Sequence, residues 1–383
     1  MPMSAARRAA ALGVDPPFAT HGSQLRSRDR PEPRTDERRI AKLKARTQNV
    51  DPLVDQGTFV VVNDQKIPSF FFDRSDGRGV MLTPGRMLGE GTYGTVVQYN
   101  MTDGKSYAVK IENRWELQKN DEGEDEMVEA PTELGVTEFL RNVECGQMSA
   151  RVIGTTSNYA YSLLELMDGN LAGNALQTYA RTYRLKPDMA AIHIVEEVRK
   201  QVACLLDKSE NRYVYTDMKA ENVMFRVTPG QVEIKVGDFG SMDTDPEGQY
   251  LMTIPCLPSG EPYQELETLQ EKQQCLSFQL GMLLVRLLLR EDDVLEFYFV
   301  EDIEERLSKI DSLRSKLRNA LPSGFGDLAD LIHSEPYVRP DITRSFLEPM
   351  EFGDDFPGGD MFASPGEPLG QHVELGDPYS FLD

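Results

Sequence analysis

Between residues 58 and 112, apolar and polar positions alternate in short runs separated by turn-forming residues. Thr58 to Asn63, Ser69 to Asp73, Arg86 to Leu88, Thr95 to Asn100 and Ser106 to Glu112 each read as a strand, with Thr102-Asp103-Gly104-Lys105 as a hairpin turn. From Thr132 the period changes. Thr132 to Arg141, Met189 to Asp207, Leu276 to Leu289 and Val300 to Leu317 carry apolar residues at helical spacing over helix length. A strand-rich part followed by a helix-rich part predicts an α+β fold of two lobes, about 58–165 and 166–348, in a domain spanning 51–348.

The two ends of the chain lack this patterning. Residues 1–50 carry 11 Lys/Arg against 5 Asp/Glu and are rich in Pro, Ser and Ala, which predicts a disordered basic arm. Residues 349–383 carry eight Asp/Glu and no Lys or Arg, with repeated Gly and Pro, which predicts a disordered acidic tail. The run Arg38-Arg39-Ile40-Ala41-Lys42-Leu43-Lys44-Ala45-Arg46 can serve nuclear import, meet an acidic partner or simply form part of a solvated leader.

Net charge narrows the classes of partner. At −22 with a pI near 4.7, the average surface repels nucleic acid and anionic membranes, so polyanion binding is confined to the basic arm. The longest apolar run, Leu280 to Leu289, is interrupted by Arg286 and falls short of the ~20 residues of a membrane span. Cys145, Cys204, Cys256 and Cys275 show no C-x-x-C spacing and no paired histidines, so neither a zinc site nor a disulfide framework is expected. These features predict a soluble protein of a reducing intracellular compartment, cytoplasm or nucleus.

The candidate chemistry begins at Gly89-Glu90-Gly91-Thr92-Tyr93-Gly94, a G-x-G-x-x-G pattern followed by Val96. Because it lies between two strands and no helix follows, it reads as a hairpin tip whose backbone N–H groups approach phosphate oxygens, with Val96 against a base. Lys110 follows 16 residues after Gly94 in Tyr107-Ala108-Val109-Lys110, where it supplies a point charge for phosphates while Ala108 leaves room for the base. An anion must hold that lysine. Glu133 on the first long helix is best placed, with Glu129 and Glu138 as alternatives, across an acidic insertion at 120–129.

The segment Tyr215-Thr216-Asp217-Met218-Lys219-Ala220-Glu221-Asn222 places a base, a cation and a metal ligand in one loop. Asp217 can take a hydroxyl proton, Lys219 can neutralise a transferred phosphoryl group, and Asn222 can hold Mg²⁺. Asp238, in Val236-Gly237-Asp238-Phe239-Gly240, lies 21 residues beyond Asp217 and suits a Mg²⁺ bridging phosphates.

Taken in this order, the elements resemble the eukaryotic-type serine/threonine protein kinases over residues 83 to 345. That resemblance implies ATP in a cleft between the lobes, Mg²⁺, and transfer of the γ-phosphate to Ser or Thr hydroxyls of protein substrates, with Lys219 similar to the lysine of the serine/threonine class. It also implies a hinge at Ser162 to Leu171, with Leu164 as gatekeeper, backbone groups of Glu165 and Met167 facing adenine, and Asp168 near the ribose. Met224 then supports adenine from below, and Arg339 pairs with Glu261.

Three departures accompany the resemblance. Tyr215-Thr216 stands where His-Arg is usual, Pro258-Ser259-Gly260-Glu261 replaces Ala-Pro-Glu, and Leu276 stands where an aspartate normally caps the catalytic loop. Losing the arginine implies a kinase that orders its activation segment without phosphorylation. The divergence resembles kinases of large DNA viruses, the herpesvirus group among them. A pseudokinase is the alternative that Thr216 and Leu276 favour, and a small-molecule phosphotransferase is disfavoured by the complete glycine loop and Lys219.

Overall fold

The computed structural model describes residues 51–347 apart from 64, 75–78, 92–93, 120–124, 130–133, 243–249, 252–262, 265, 290–299 and 301. The expected basic arm and acidic tail lie outside the described residues. So do Thr92, Tyr93, Glu133 and Glu261.

Seven antiparallel strands form the first layer: β1 (Thr58–Val61), β2 (Phe70–Asp73), β3 (Gly79–Gly91), β4 (Gly94–Met101), β5 (Ser106–Asn113), β8 (Ala150–Thr155) and β9 (Tyr159–Glu165). Their order is β1-β2-β3-β4-β5-β9-β8. Alternation fixes which face is buried. On β4, Thr95, Val97, Tyr99 and Met101 are buried while Val96 and Gln98 are not. Phe70, Phe72, Leu82, Val97, Val109, Ile111, Tyr161 and Leu163 fill the resulting core. Met101 N–H bonds to Lys105 O at 2.8 Å and Gly104 has φ +93, so the expected turn closes β4 onto β5.

Arg151 on β8 binds the chain ahead of β1 to the far edge of the sheet. Its guanidinium donates to the carbonyls of Pro52, Asp55 and Gly57 and lies over the Phe59 and Phe72 rings at 5.0 and 5.4 Å. The acidic insertion is not merely a loop. Trp115–Lys119 (β6) and Asp125–Glu129 (β7) pair as a separate hairpin, with Trp115 opposite Glu129.

The second layer is helical, and its boundaries follow ordinary capping chemistry. Helices α1 (Leu134–Arg141), α2 (Ala175–Tyr183), α3 (Pro187–Lys208), α4 (Leu269–Leu289) and α5 (Ile303–Ala320) are joined by β10 (Gly169–Asn170), β11 (Val223–Thr228) and β12 (Gln231–Val236). Pro187 opens α3 at the position where a missing N–H costs nothing, with Asp188 in the first turn. A capping box starts α4: Thr268 N–H donates to Glu271 Oε2 at 2.8 Å and Glu271 N–H donates to Thr268 Oγ1 at 3.2 Å. Asp302 caps α5 by accepting from Glu305 N–H at 2.8 Å. The long buried faces of α3 and α4 contribute Ile194, Val198, Phe278 and Leu284 to one shared core. No helix among the described residues is long and apolar enough to cross a membrane.

A buried ion pair fastens the last described segment to α3. Arg199 donates to Glu196 at 2.7 and 2.8 Å and to Ile342 O at 2.6 Å, while Ser345 Oγ and Phe346 N–H donate to the same carboxylate. Burial alone raises the Glu196 carboxyl, but these four donors together hold it below its ordinary value.

The expectation of no disulfide is corrected. Cys145, in the loop after α1, is bonded to Cys204 on α3, with Cα atoms 5.6 Å apart. Spacing in sequence could not show this, because the pair is 59 residues apart and becomes adjacent only when the loop folds onto α3. A crosslink closing a loop of that size limits the unfolded chain by about 4 kcal/mol in the chain-entropy treatment. Cys204→Ser is therefore expected to unfold at clearly lower denaturant than the oxidised wild type, and reductant should bring the two midpoints together. Equal midpoints without reductant would show that the bridge contributes nothing.

Candidate active site

The roof of the site is built from β3, β4 and β5. Gly91 at the end of β3 pairs with Gly94 at the start of β4. A Cβ added at Gly89 or Gly91 would meet nothing within 4 Å, which leaves the upper strand open to a close-lying ligand. Glu90 between them is exposed. Gly94 differs: a Cβ there would stand 2.2 Å from Ile111 O. Gly94→Ala should thus cost about 1–3 kcal/mol of stability through backbone displacement, whereas Gly89→Ala should unfold like the wild type. Chemical denaturation of the two variants checks this contrast.

Register assigns the lining of the cleft. Val96 stands opposite Lys110, and Ala108 opposite Leu164. These four side chains share the sheet face opposite to Val97, Val109 and Leu163, which are buried in the first core. Leu164, Met167 and Met224 are partly buried and pack on the helical core from below. An apolar slot with a lysine at its inner end results.

Two hinge residues are engaged with the surrounding protein. Glu165 N–H donates to Ser149 O at 3.2 Å, so it does not face a base. The Glu165 carboxylate accepts from Ser149 N–H at 2.7 Å and pairs with Lys235 and Arg226 at 2.8 and 3.0 Å, which anchors the hinge to β11 and β12. Asp168 is also engaged: its Oδ2 accepts from Val227 N–H at 2.7 Å, which ties the end of the hinge to β11.

Lys110 is 8% exposed, with Nζ 2.8 Å from Asp238 Oδ1 and 3.4 Å from Glu112 Oε1. Glu133, the expected partner, lies outside the described residues. Glu138 does not fill that role, because it is exposed on α1 and lies 4.0 Å from Arg141. Asp238 itself has φ +55, a conformation that aspartate adopts at a cost and that clusters at functional sites.

The loop between α3 and β11 converges on Asp217. Its Oδ2 accepts from Lys219 Nζ at 2.7 Å and from Asn222 Nδ2 at 2.7 Å. Its Oδ1 is buried and has no hydrogen-bond partner among the described residues. A buried carboxylate oxygen without a donor is costly, so the arrangement is suited to a ligand that brings a hydrogen. Since Asn222 presents its NH₂ to Asp217, the amide oxygen is the end that suits a cation. Asn222 O also accepts from Gly237 N–H at 2.9 Å, which ties this loop to Asp238. An amide oxygen and a carboxylate are hard donors of the kind Mg²⁺ takes, so the residues present fit that ion.

Two of the three departures from the family pattern have structural answers, while Pro258 to Glu261 lies outside the described residues. Tyr215 OH donates to Gly237 O at 2.6 Å, and its ring meets Phe239 edge-on at 6.1 Å. Thr216 is fully buried, and its Oγ1 donates to Ser241 O at 2.8 Å, so position 216 binds the following segment directly. Gln279, one turn beyond Leu276 on α4, donates from Nε2 to Thr216 O at 2.6 Å. Leu276 is a buried core residue, and the contact with the loop comes from the next turn of the same helix face.

Arg339 is buried against Phe278 at 4.7 Å and donates to His333 O and Gln274 O at 2.9 and 3.0 Å. Burial lowers its guanidinium pKa.

Among known proteins, the family model of the protein kinase domain matches residues 82–291, more than half of the chain. None of the curated proteins matches it.

Proposed function

Given that this chain belongs to the protein kinase family, we propose that it is an active serine/threonine kinase using ATP and Mg²⁺. One observation carries the reading: Asp217 keeps one buried carboxylate oxygen without a hydrogen-bond partner among the described residues while Lys219 and Asn222 hold the other. A substrate hydroxyl donating to Oδ1 is oriented there, and as its oxygen bonds to the γ-phosphorus the proton passes to Asp217 while the bond to the β-phosphate oxygen breaks. Lys219, 2.7 Å from Asp217, neutralises charge that develops on the moving phosphoryl group.

Lys110 sits where it meets the α- and β-phosphates beneath Gly89 and Gly91, and the apolar slot of Val96, Ala108, Leu164 and Met224 suits adenine. Asn222 and Asp238 would hold Mg²⁺, which supplies charge neutralisation on the phosphates. Thr216 Oγ1 holds Ser241 O directly, which favours activity that does not depend on a phosphate bound by the arginine usual at position 216.

The test is incubation of the purified chain with Mg²⁺, γ-labelled ATP and a mixed panel of proteins, followed by phosphoamino-acid analysis. Label on Ser and Thr is expected. Label confined to Tyr would overturn the choice of acceptor, and label absent throughout would overturn the kinase reading.

A further inference from the structure

Glu112 is 3% exposed, one of the most buried carboxylates among the described residues, and the mechanism above makes no use of it. Alternation along β5 places Ala108, Lys110 and Glu112 on the cleft side, while Tyr107, Val109 and Ile111 enter the sheet core. Its register partners are Gly94 on β4 and Ala160 on β9, so small residues on both sides leave room for the carboxylate inside the sheet. Lys110 Nζ lies 3.4 Å from its Oε1. A carboxylate this deep is strongly penalised unless it is paired, and the ammonium two residues earlier is a cation in reach.

We propose that Glu112 is a positioning residue that holds Lys110 in the cleft from within its own strand. The inference rests on the nucleotide-binding reading of the site. Asp238 shares Lys110 at 2.8 Å, but the same carboxylate is the one suited to Mg²⁺. Glu112 keeps its hold on the lysine when Asp238 turns to a cation, because an i,i+2 relation along a strand does not change with the position of a helix or loop. Helix and loop partners can move; a strand neighbour cannot. Lys110 lies between Glu112 and the phosphates, so the ammonium shields the carboxylate's repulsion of ATP and the positioning effect dominates.

The test is a double-mutant cycle on ATP affinity, measured by calorimetry on the full chain in Mg²⁺, which needs no turnover. Glu112→Gln is expected to weaken ATP binding roughly 10-fold. In a Lys110→Ala background the same change should have no effect or restore part of the affinity, because the lysine it positions is gone and a negative charge no longer shielded from the phosphates is removed. A purely structural role would weaken binding equally in both backgrounds, and that result overturns the proposal. So does a Glu112→Gln variant that binds ATP like the wild type. Should Glu112→Gln fail to fold in a thermal melt, Glu112→Asp takes its place: a loss that depends on Lys110 supports the proposal, and no loss or an equal one overturns it. A wild type that binds no ATP overturns the functional reading itself, whereas binding that is indifferent to Glu112 overturns this proposal alone.

Discussion

Asp217→Asn is expected to lower kcat by roughly 10²–10⁴-fold while leaving ATP affinity close to that of the wild type. The amide matches the carboxylate in size and can still accept from Lys219 and Asn222, so the loop should keep its shape. What changes is the second atom. With the amide oxygen held by Lys219 and Asn222, the position of Oδ1, buried and without a hydrogen-bond partner among the described residues, is taken by an NH₂ that can neither accept from a substrate hydroxyl nor take its proton. The loss therefore belongs in kcat, and steady-state kinetics beside a binding measurement separates the two. A variant with wild-type kcat would remove Asp217 from the reaction.

Asp238→Asn is the second large effect, expected at roughly 10²–10³-fold in kcat/KM because an electrostatic group aimed at the phosphates is lost. Two contributions combine. The site loses its anionic donor for Mg²⁺, leaving the neutral amide of Asn222, and Lys110 loses a charge-assisted contact at 2.8 Å. Raising Mg²⁺ should recover part of the loss by mass action, which distinguishes weakened metal binding from a misplaced lysine. Titrating Mg²⁺ against initial rate, for wild type and variant, reads this directly. Identical Mg²⁺ dependence in the two proteins would remove Asp238 from the metal site.

Much of the fold was legible because it depends on local pattern. The alternation at Thr95 to Asn100 survives as β4, and the helical period at Met189 to Asp207 survives as α3 with one turn or less added at its ends. The linear motifs that carry chemistry were legible for the same reason: Asp217, Lys219 and Asn222 meet because they share one loop, and Lys110 reaches Asp238 across the cleft.

What was not legible depends on folding distant residues together. Gln279 was missed because the family position is Leu276; a glutamine mid-helix looks like any polar residue until its helix is seen to cross beneath Thr216. In this chain the contact with the loop comes from one turn further along the helix face than the family position. Glu112 was read only as the end of a strand, although its place two residues after Lys110 was visible and marks it for the same face. The resemblance assigned Asp168 and backbone groups of Glu165 to the nucleotide; the bonds of Asp168 Oδ2 to the backbone of β11 and of the Glu165 N–H to the loop before β8 depend on residues distant in sequence. The bond between Cys145 and Cys204 had no local signal at all.

The family membership leaves one question for the chemistry: whether a site with Thr216 and Leu276 in place of the usual residues still turns over. Single-turnover transfer from Mg²⁺-bound γ-labelled ATP to protein, by a phosphatase-treated chain whose ATP binding is measured in the same sample, answers it most directly. The account predicts label on Ser or Thr from the wild type, abolished in Asp217→Asn. ATP binding with no transfer by the wild type, or equal transfer by both proteins, would contradict it.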